Sequence, residues 1–271
     1  MPGSRKLLQT PANRWPRVQV KAWSAVGAVC ALALAMAGCH KASPKHSAVS
    51  EAVSAGPPSL NRPASLNLTA PGVYEAQFST TKGTFVVEVH RDWAPLGADR
   101  FYNLVKFGYY NGASFFRVVP GFVIQFGLNP NPQLSQIWSQ AMIPDDPVRE
   151  SNSVGTLAFA AAGPNTRTTQ VFINLAENTN LDSMGFAPFG KVVQGMSVVH
   201  QIYGGYGDAP PGGNGPDQNR IMTEGSAYLE KFFPKLDSIK TAEILTANQP
   251  APRAAAGSSK VPPAAAGKRE P

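Results

Sequence analysis

Apolar and polar positions alternate through "YEAQFSTTKGTFVVEVH", residues 74–90. Phe85, Val87 and Val89 fall on one side of the chain, Val86 and Glu88 on the other, and "TKG" separates two runs. A period of two around a short turn predicts a β-hairpin. The spacing then changes. In "APLGADRFYNLVKFG", residues 94–108, Ala94, Ala98, Phe101 and Val105 recur at helical intervals, with Pro95 suited to a first turn and Gly108 to a stop. "GTLAFAA" (155–161), "QVFINL" (170–175), "FAPFGKVV" (186–193) and "DSIKTAEIL" (237–245) read as strands. "GMSVVHQIYGG" (195–205) predicts a short helix with Val199, Ile202 and Tyr203 on one face. "TEGSAYLEKFFPK" (223–235) predicts another, ended near Pro234. Many short strands and few helices favour a β-barrel or sandwich over a βαβ fold.

One cation interrupts the most apolar stretch, "FFRVVPGFVIQFG", residues 115–127. Val119-Pro120-Gly121-Phe122 carries turn residues between two apolar runs. A turn centred on Gly121 sets Arg117 opposite Gln125, and opposed residues of an antiparallel pair share a face. Alternation adds Phe115 to that face and sends Phe116, Val118 and Ile124 into the core. One surface then offers a guanidinium and an amide among aromatic carbons. On this fragment alone, a simple surface arginine on a barrel fits equally well.

Charge and cysteines restrict the chemistry. The chain of 271 residues has a formal net charge of +7, but residues 69–246 hold 12 Lys/Arg against 15 Asp/Glu. The excess of cations belongs to the two ends, which argues against a nucleic-acid surface on the fold. Both cysteines, Cys30 and Cys39, lie in the first 40 residues. The remainder can form no disulfide, thiolate metal site or cysteine nucleophile. His40 and His46 sit in a polar stretch and read as solvated residues, and His90 and His200 are isolated. "GGYGDAPPGGNG" (204–215) lacks a phosphate-loop pattern and reads as an irregular loop.

The first 21 residues carry Arg5, Lys6, Arg14, Arg17 and Lys21, and the uncharged run "AWSAVGAVCALALAMA" follows. This is the layout of a secretory signal, and the run is short for a membrane span. It ends in "MAGCH", which resembles a bacterial lipobox with Cys39 as the lipidated residue. An ordinary signal peptide or an uncleaved anchor remain alternatives. The expected organisation is a lipoprotein signal peptide over 1–38, a flexible tether over 39–68, a folded domain over 69–246 and an Ala/Pro-rich disordered tail over 247–271.

Three motifs in order extend the Arg117 pattern. Phe115-x-Arg117-x-x-Pro120-Gly121-Phe122-x-x-Gln125 is followed by "AFAAAGPNTRTTQVFI" (158–173) and "LDSMGFAPFGKVVQGM" (181–196). Together they resemble the cyclophilin-type peptidyl-prolyl isomerases. The resemblance implies a mainly β fold, a closed eight-stranded antiparallel barrel capped by two helices. Residues 223–235 would add an extra C-terminal helix. It implies a site on the outer barrel surface, with Arg117 catalytic and Gln125 binding the substrate carbonyl and steadying it. Phe122, Phe172 and Leu181 match walls of a proline pocket, and Val123 stands where the family often has Met. Phe186 stands where many members have His, and Asn180 where some have Trp. Ala160, Ala161 and Gln170 match the backbone-holding strand and loop. Phe126 replaces the first glycine of a common pair, an expected change to the neighbouring groove.

The implied activity is prolyl cis-trans isomerisation on folding proteins of the bacterial cell envelope. It needs no cofactor and no metal. The implied partners are proline-containing chains and, through the lipid, a membrane, the outer membrane rather than the inner because His40 and not Asp follows Cys39. No nucleic acid is expected, and the domain is expected to be monomeric. The rival reading is a module that binds proline segments, as a chaperone or scaffold, with little turnover.

Overall fold

The computed structural model describes residues 57–245. The expected signal peptide, Cys39 and the expected disordered tail lie outside the described residues. Within them, no helix is long and apolar enough to cross a membrane, and no cluster of three or more His, Cys, Asp or Glu could hold a metal ion.

The hairpin read from residues 74–90 forms as β1 (Val73–Thr80) and β2 (Gly83–His90). Thr80 pairs with Gly83, so Thr81 and Lys82 make the turn. Phe85, Val87 and Val89 are fully buried, as their spacing predicts. α1 (Pro95–Lys106) begins on Pro95 and buries Ala98, Phe101, Leu104 and Val105. Its N-terminus is capped from a distant loop: Leu96 and Gly97 donate backbone N–H groups to the Asp146 carboxylate at 3.0 and 2.8 Å. β3 (Arg117–Val119) and β4 (Val123–Phe126) follow. Beyond α2 (Pro132–Ser139) come β5 (Thr156–Phe159), β6 (Val171–Asn174) and β7 (Pro188–Gln194). The described residues continue through α3 (Met196–Val199), α4 (Gln218–Glu224), α5 (Ser226–Phe232) and β8 (Ile239–Leu245).

The eight strands form one antiparallel sheet in the order β3-β4-β6-β5-β7-β2-β1-β8. This corrects the expected closed barrel: the edge strands β3 and β8 share no ladder, and the sheet is an open half-barrel. A single bridge, Ser114 to Ser238, spans the gap, with Ile239 N–H donating to Ala113 O at 2.8 Å. The reason is the shortness of β3. Only the residues just before it reach the start of β8, and the chain then changes partner to pair with β4. That change of partner also resets the alternation. Phe115 is buried in the main core rather than on the face of Arg117, and Phe116 packs in a separate cluster against α4 and α5.

The concave side is filled by aromatic rings. Phe78 stacks on Phe85 at 5.0 Å and meets Phe126 edge-on at 5.7 Å, while Phe101 packs on Phe189 at 4.8 Å. The interior is thus a packed core, and any site must lie outside it.

The expected helices also need correction. The helix read over 195–205 is one turn, α3, begun after Gly195 in a left-handed conformation at φ 77°. Val199 and Ile202 are buried as expected, but through turns rather than a longer helix. Of the helix read over 223–235, only Ser226–Phe232 forms one helix, α5; Thr223 and Glu224 end α4, and Gly225, at φ 63° and ψ −145°, separates the two. α2 was not anticipated, although Asn131-Pro132 is a start signal: the Asn131 side chain accepts from Gln133 N–H at 2.9 Å.

Residues 57–68 fall in the expected tether, yet they lie against the domain. Leu66 is buried, Leu60 packs on the core, and Trp138 Nε1 donates to Leu60 O at 2.8 Å. Asn103 holds Leu68 by both its backbone groups. A fragment beginning at residue 57 is therefore expected to be more stable than one beginning at 69 by about 2 kcal/mol or more, the worth of one buried leucine side chain. Urea melts of the two fragments check this, and coincident midpoints would refute it.

Candidate active site

The β3–β4 hairpin has the register its sequence predicts: Arg117 pairs with Gln125, Val118 with Ile124 and Val119 with Val123. Gly121, at φ 73°, supplies the left-handed turn, and Phe122 N–H closes it on Val119 O at 3.0 Å. The row continues across the sheet. Gln125 pairs with Phe172 on β6, and Phe172 with Ala158 on β5. Arg117, Gln125, Phe172 and Ala158 thus stand side by side on the outer face.

Apolar carbon surrounds that row. Val123, Ala158, Phe172 and Leu181 form a buried cluster separate from the main core, and Phe122, Ala160 and Phe186 pack on it. Phe172 meets Phe186 edge-on at 5.7 Å. Leu181 and Phe186 come from the loop after β6, which a buried amide network fixes. Asn152 donates to the Asp182 carboxylate at 2.7 Å and to Phe186 O at 2.8 Å. Asn178 donates to Phe122 O at 2.9 Å, tying that loop to the hairpin turn.

Arg117 is largely buried, with 17% of its side chain exposed. Its Nη1 donates to Gln125 Oε1 at 3.3 Å, and Gln125 Nε2 donates to Gln170 Oε1 at 2.8 Å. Gln170 O accepts from Ala160 N–H at 2.9 Å, which fixes the mouth of the 160–170 loop. The guanidinium lies 5.7 Å from the Phe122 ring centroid. Its other edge meets a group that sequence reasoning missed. Nε and Nη2 donate to the two oxygens of Asp208 at 2.7 and 2.9 Å. The Arg117 hydrogen bonds hold the Asp208 carboxyl below the usual carboxylate range.

A guanidinium has five N–H donors. Two serve Asp208 and one serves Gln125, so one on Nη1 and one on Nη2 are left. The arrangement presents fixed, charged donors beside an apolar groove.

Most of the sequence-predicted residues meet here: Arg117, Phe122, Val123, Gln125, Ala160, Gln170, Phe172, Leu181 and Phe186. Ala161 follows at the loop mouth. Asn180 is exposed beside Leu181 and outside the apolar cluster. Phe126, expected to alter the groove, instead points into the core against Phe78 and Tyr110. Ala158 and Asp208 were missed. Alternation from Phe159 could have placed Ala158, whereas nothing local marks Asp208. His200 lines a separate cavity of ≈ 270 Å³ on the inner side of the hairpin, with Val118 and Ile124.

Residues 75–223, more than half of the chain, match the family described as cyclophilin type peptidyl-prolyl cis-trans isomerase/CLD. The chain belongs to the cyclophilin-type peptidyl-prolyl isomerases. A peptidyl-prolyl cis-trans isomerase of Acinetobacter baylyi is 36% identical over 132 residues, covering 46% of this chain and 70% of that protein. Peptidyl-prolyl cis-trans isomerase ppi1 of Schizosaccharomyces pombe is 37% identical over 131 residues, covering 46% of this chain and 83% of its own. A crystal structure of a cyclophilin type isomerase from Cryptosporidium parvum aligns with a TM-score of 0.49 at 20% identity, over 64% of this chain and 98% of that one. The cyclophilin match runs from within β1 to within α4 and takes in every residue of the row Arg117–Gln125–Phe172–Ala158. α5 and β8 lie beyond it.

Proposed function

We propose that this cyclophilin isomerises prolyl bonds of proteins folding in a bacterial cell envelope, with Arg117 as its catalytic residue and a lipid on Cys39 as its anchor. The observation that carries the catalytic part is the Arg117–Gln125 pair set beside the Phe122, Val123, Phe172 and Leu181 groove. A peptide bond resists rotation by ~18–20 kcal/mol because the nitrogen lone pair is delocalised into the carbonyl. In the twisted transition state the lone pair localises on nitrogen and becomes a better acceptor. A guanidinium N–H fixed beside it strengthens its hydrogen bond as the bond twists, which stabilises the transition state more than the planar ground state. The proline ring sits in the apolar groove. Gln125, itself oriented by Gln170, takes the neighbouring carbonyl through an amide N–H not used within the protein. No bond is made or broken, so the step needs neither nucleophile nor base.

The envelope assignment rests on the basic leader, its apolar run and "MAGCH" at residues 36–40. Only the Cys39 thiol can take a thioether-linked lipid there. Cys39→Ser is expected to abolish incorporation of labelled fatty acid and move the protein from the membrane to the soluble fraction. Unchanged membrane retention would refute the lipid anchor and favour the apolar run as an uncleaved one. For the catalytic part, the test is exchange NMR on a proline peptide with the full chain. Peptide binding without exchange would move the reading to a proline-binding chaperone.

A further inference from the structure

We propose that Asp208 is a positioning residue for Arg117, and that the loop over 203–217 exists in part to deliver it. The inference rests on the catalytic reading of Arg117 given above.

The contact is bidentate, with Nε–Oδ1 at 2.7 Å and Nη2–Oδ2 at 2.9 Å, and 36% of the Asp208 side chain is exposed. This fork-to-fork geometry fixes the guanidinium plane as well as its place. A single bond to Gln125 at 3.3 Å could not do so, because the guanidinium can rotate about one bond.

Asp208 is itself held from several directions. Its Oδ1 also accepts from Ala209 N–H at 2.8 Å, and its backbone oxygen accepts from Gly215 N–H at 2.7 Å. Gly213 and Gly215 let the loop fold that tightly: a Cβ on Gly213 would lie 2.4 Å from Asp208 O. At the loop's start, Tyr203 N–H donates to the buried Asp237 at 2.7 Å. Tyr206 packs edge-on against Tyr203 and Phe233, at 5.2 and 5.1 Å. Phe233 in turn packs against the cluster of Phe116, Ile221, Tyr228 and Leu229. The C-terminal helices thus brace the loop, and the loop sets the carboxylate.

A carboxylate beside a catalytic cation could equally act as a brake, by occupying it. The placement argues otherwise. β3 is an edge strand, and the groove runs from it across the outer face of β4, β6 and β5. Gly204 approaches Val118 and Pro120. Asp208 takes Nε and one N–H of Nη2, Gln125 takes one of Nη1, and one donor each on Nη1 and Nη2 stays free.

The test uses the full chain, a proline peptide, exchange NMR at saturating peptide and a separate titration of affinity. Asp208→Ala is expected to slow exchange about 10-fold, equivalent to about 1.4 kcal/mol, and to change peptide affinity less than about threefold. Asp208→Asn keeps the shape but loses one acceptor, and should fall between the two. In the Arg117→Ala background, Asp208→Ala should add nothing, because a residue acting through another has no effect without it. A slowly exchanging Arg117 Nε–H signal in ¹⁵N spectra should be present in the wild type and lost in Asp208→Ala. Exchange equal to or faster than wild type, or an equal slowing in the Arg117→Ala background, would overturn the proposal. If Arg117→Ala slows exchange and Asp208→Ala does not, only this inference fails. If neither slows it, the role given to Arg117 fails as well.

Discussion

Arg117→Ala is expected to slow prolyl isomerisation at least ~100-fold, on the order of 3 kcal/mol of lost transition-state stabilisation. The substitution removes the charged donors and leaves the groove of Phe122, Val123, Phe172 and Leu181 in place. Ground-state peptide affinity should fall much less than the rate, since apolar burial supplies it. The fold should survive: the β3–β4 ladder is made by backbone groups, and Asp208, about one-third exposed, can take water where the guanidinium was. Its carboxyl then returns upward toward the ordinary range, because the hydrogen bonds that lower it are gone. Arg117→Lys should rescue little. One ammonium cannot reach both Asp208 oxygens and Gln125 and still present donors to substrate. Phe172→Ala should show the opposite balance, weakening affinity directly by removing the wall between Gln125 and Ala158. Exchange NMR and titration on one peptide separate the two effects. An unchanged rate in Arg117→Ala would end the mechanism.

The legible parts of this molecule were those fixed by neighbours in sequence. The Arg117–Gln125 pairing follows from a turn at Gly121 and a period of two, and it forms in that register. The β1–β2 hairpin and α1 follow in the same way from spacing and from Pro95. Phe115 was misplaced because alternation was carried back through residues 114–116, where the chain changes strand partners. Phe126 was legible and misread: with Gln125 outward, the next side chain must point inward, as it does. Asp208 was beyond reach. It meets Arg117 across 91 residues, from a loop whose path is set by Tyr206, Phe233 and the C-terminal helices. No local period encodes such a contact. The packing of residues 57–68 was hidden for a related reason, since a segment held by Trp138 and Asn103 reads as polar and irregular by itself.

Gly127→Ala is expected to destabilise the domain by roughly 2–6 kcal/mol and to damage the site with it. Two separate effects add. Gly127 has φ 113°, a conformation a Cβ disfavours by about 1–3 kcal/mol. The new Cβ would also lie 2.4 Å from Thr169 O and 2.8 Å from Gln170 Cα, both backbone atoms. Those atoms cannot give way freely. Thr169 is buried, its carbonyl accepts from the Tyr110 hydroxyl at 3.0 Å, and its hydroxyl donates to Gly127 O at 2.8 Å. Relief must therefore push the residues entering β6 away from β4, which strains the core by a further ~1–3 kcal/mol. Gln170 moves with them, and the Gln125–Gln170 bond that orients the site is lost. Gly121→Ala is the control. It too has a positive φ, 73°, but nothing lies within 4 Å of its Cβ, so only the conformational cost of about 1 kcal/mol applies. In a domain of this size 1 kcal/mol moves the midpoint by roughly 2–4 °C. Thermal melts should therefore show a shift near 10 °C for Gly127→Ala and a few degrees for Gly121→Ala. Equal shifts would mean that crowding at Thr169 contributes nothing and that β6 is free to move.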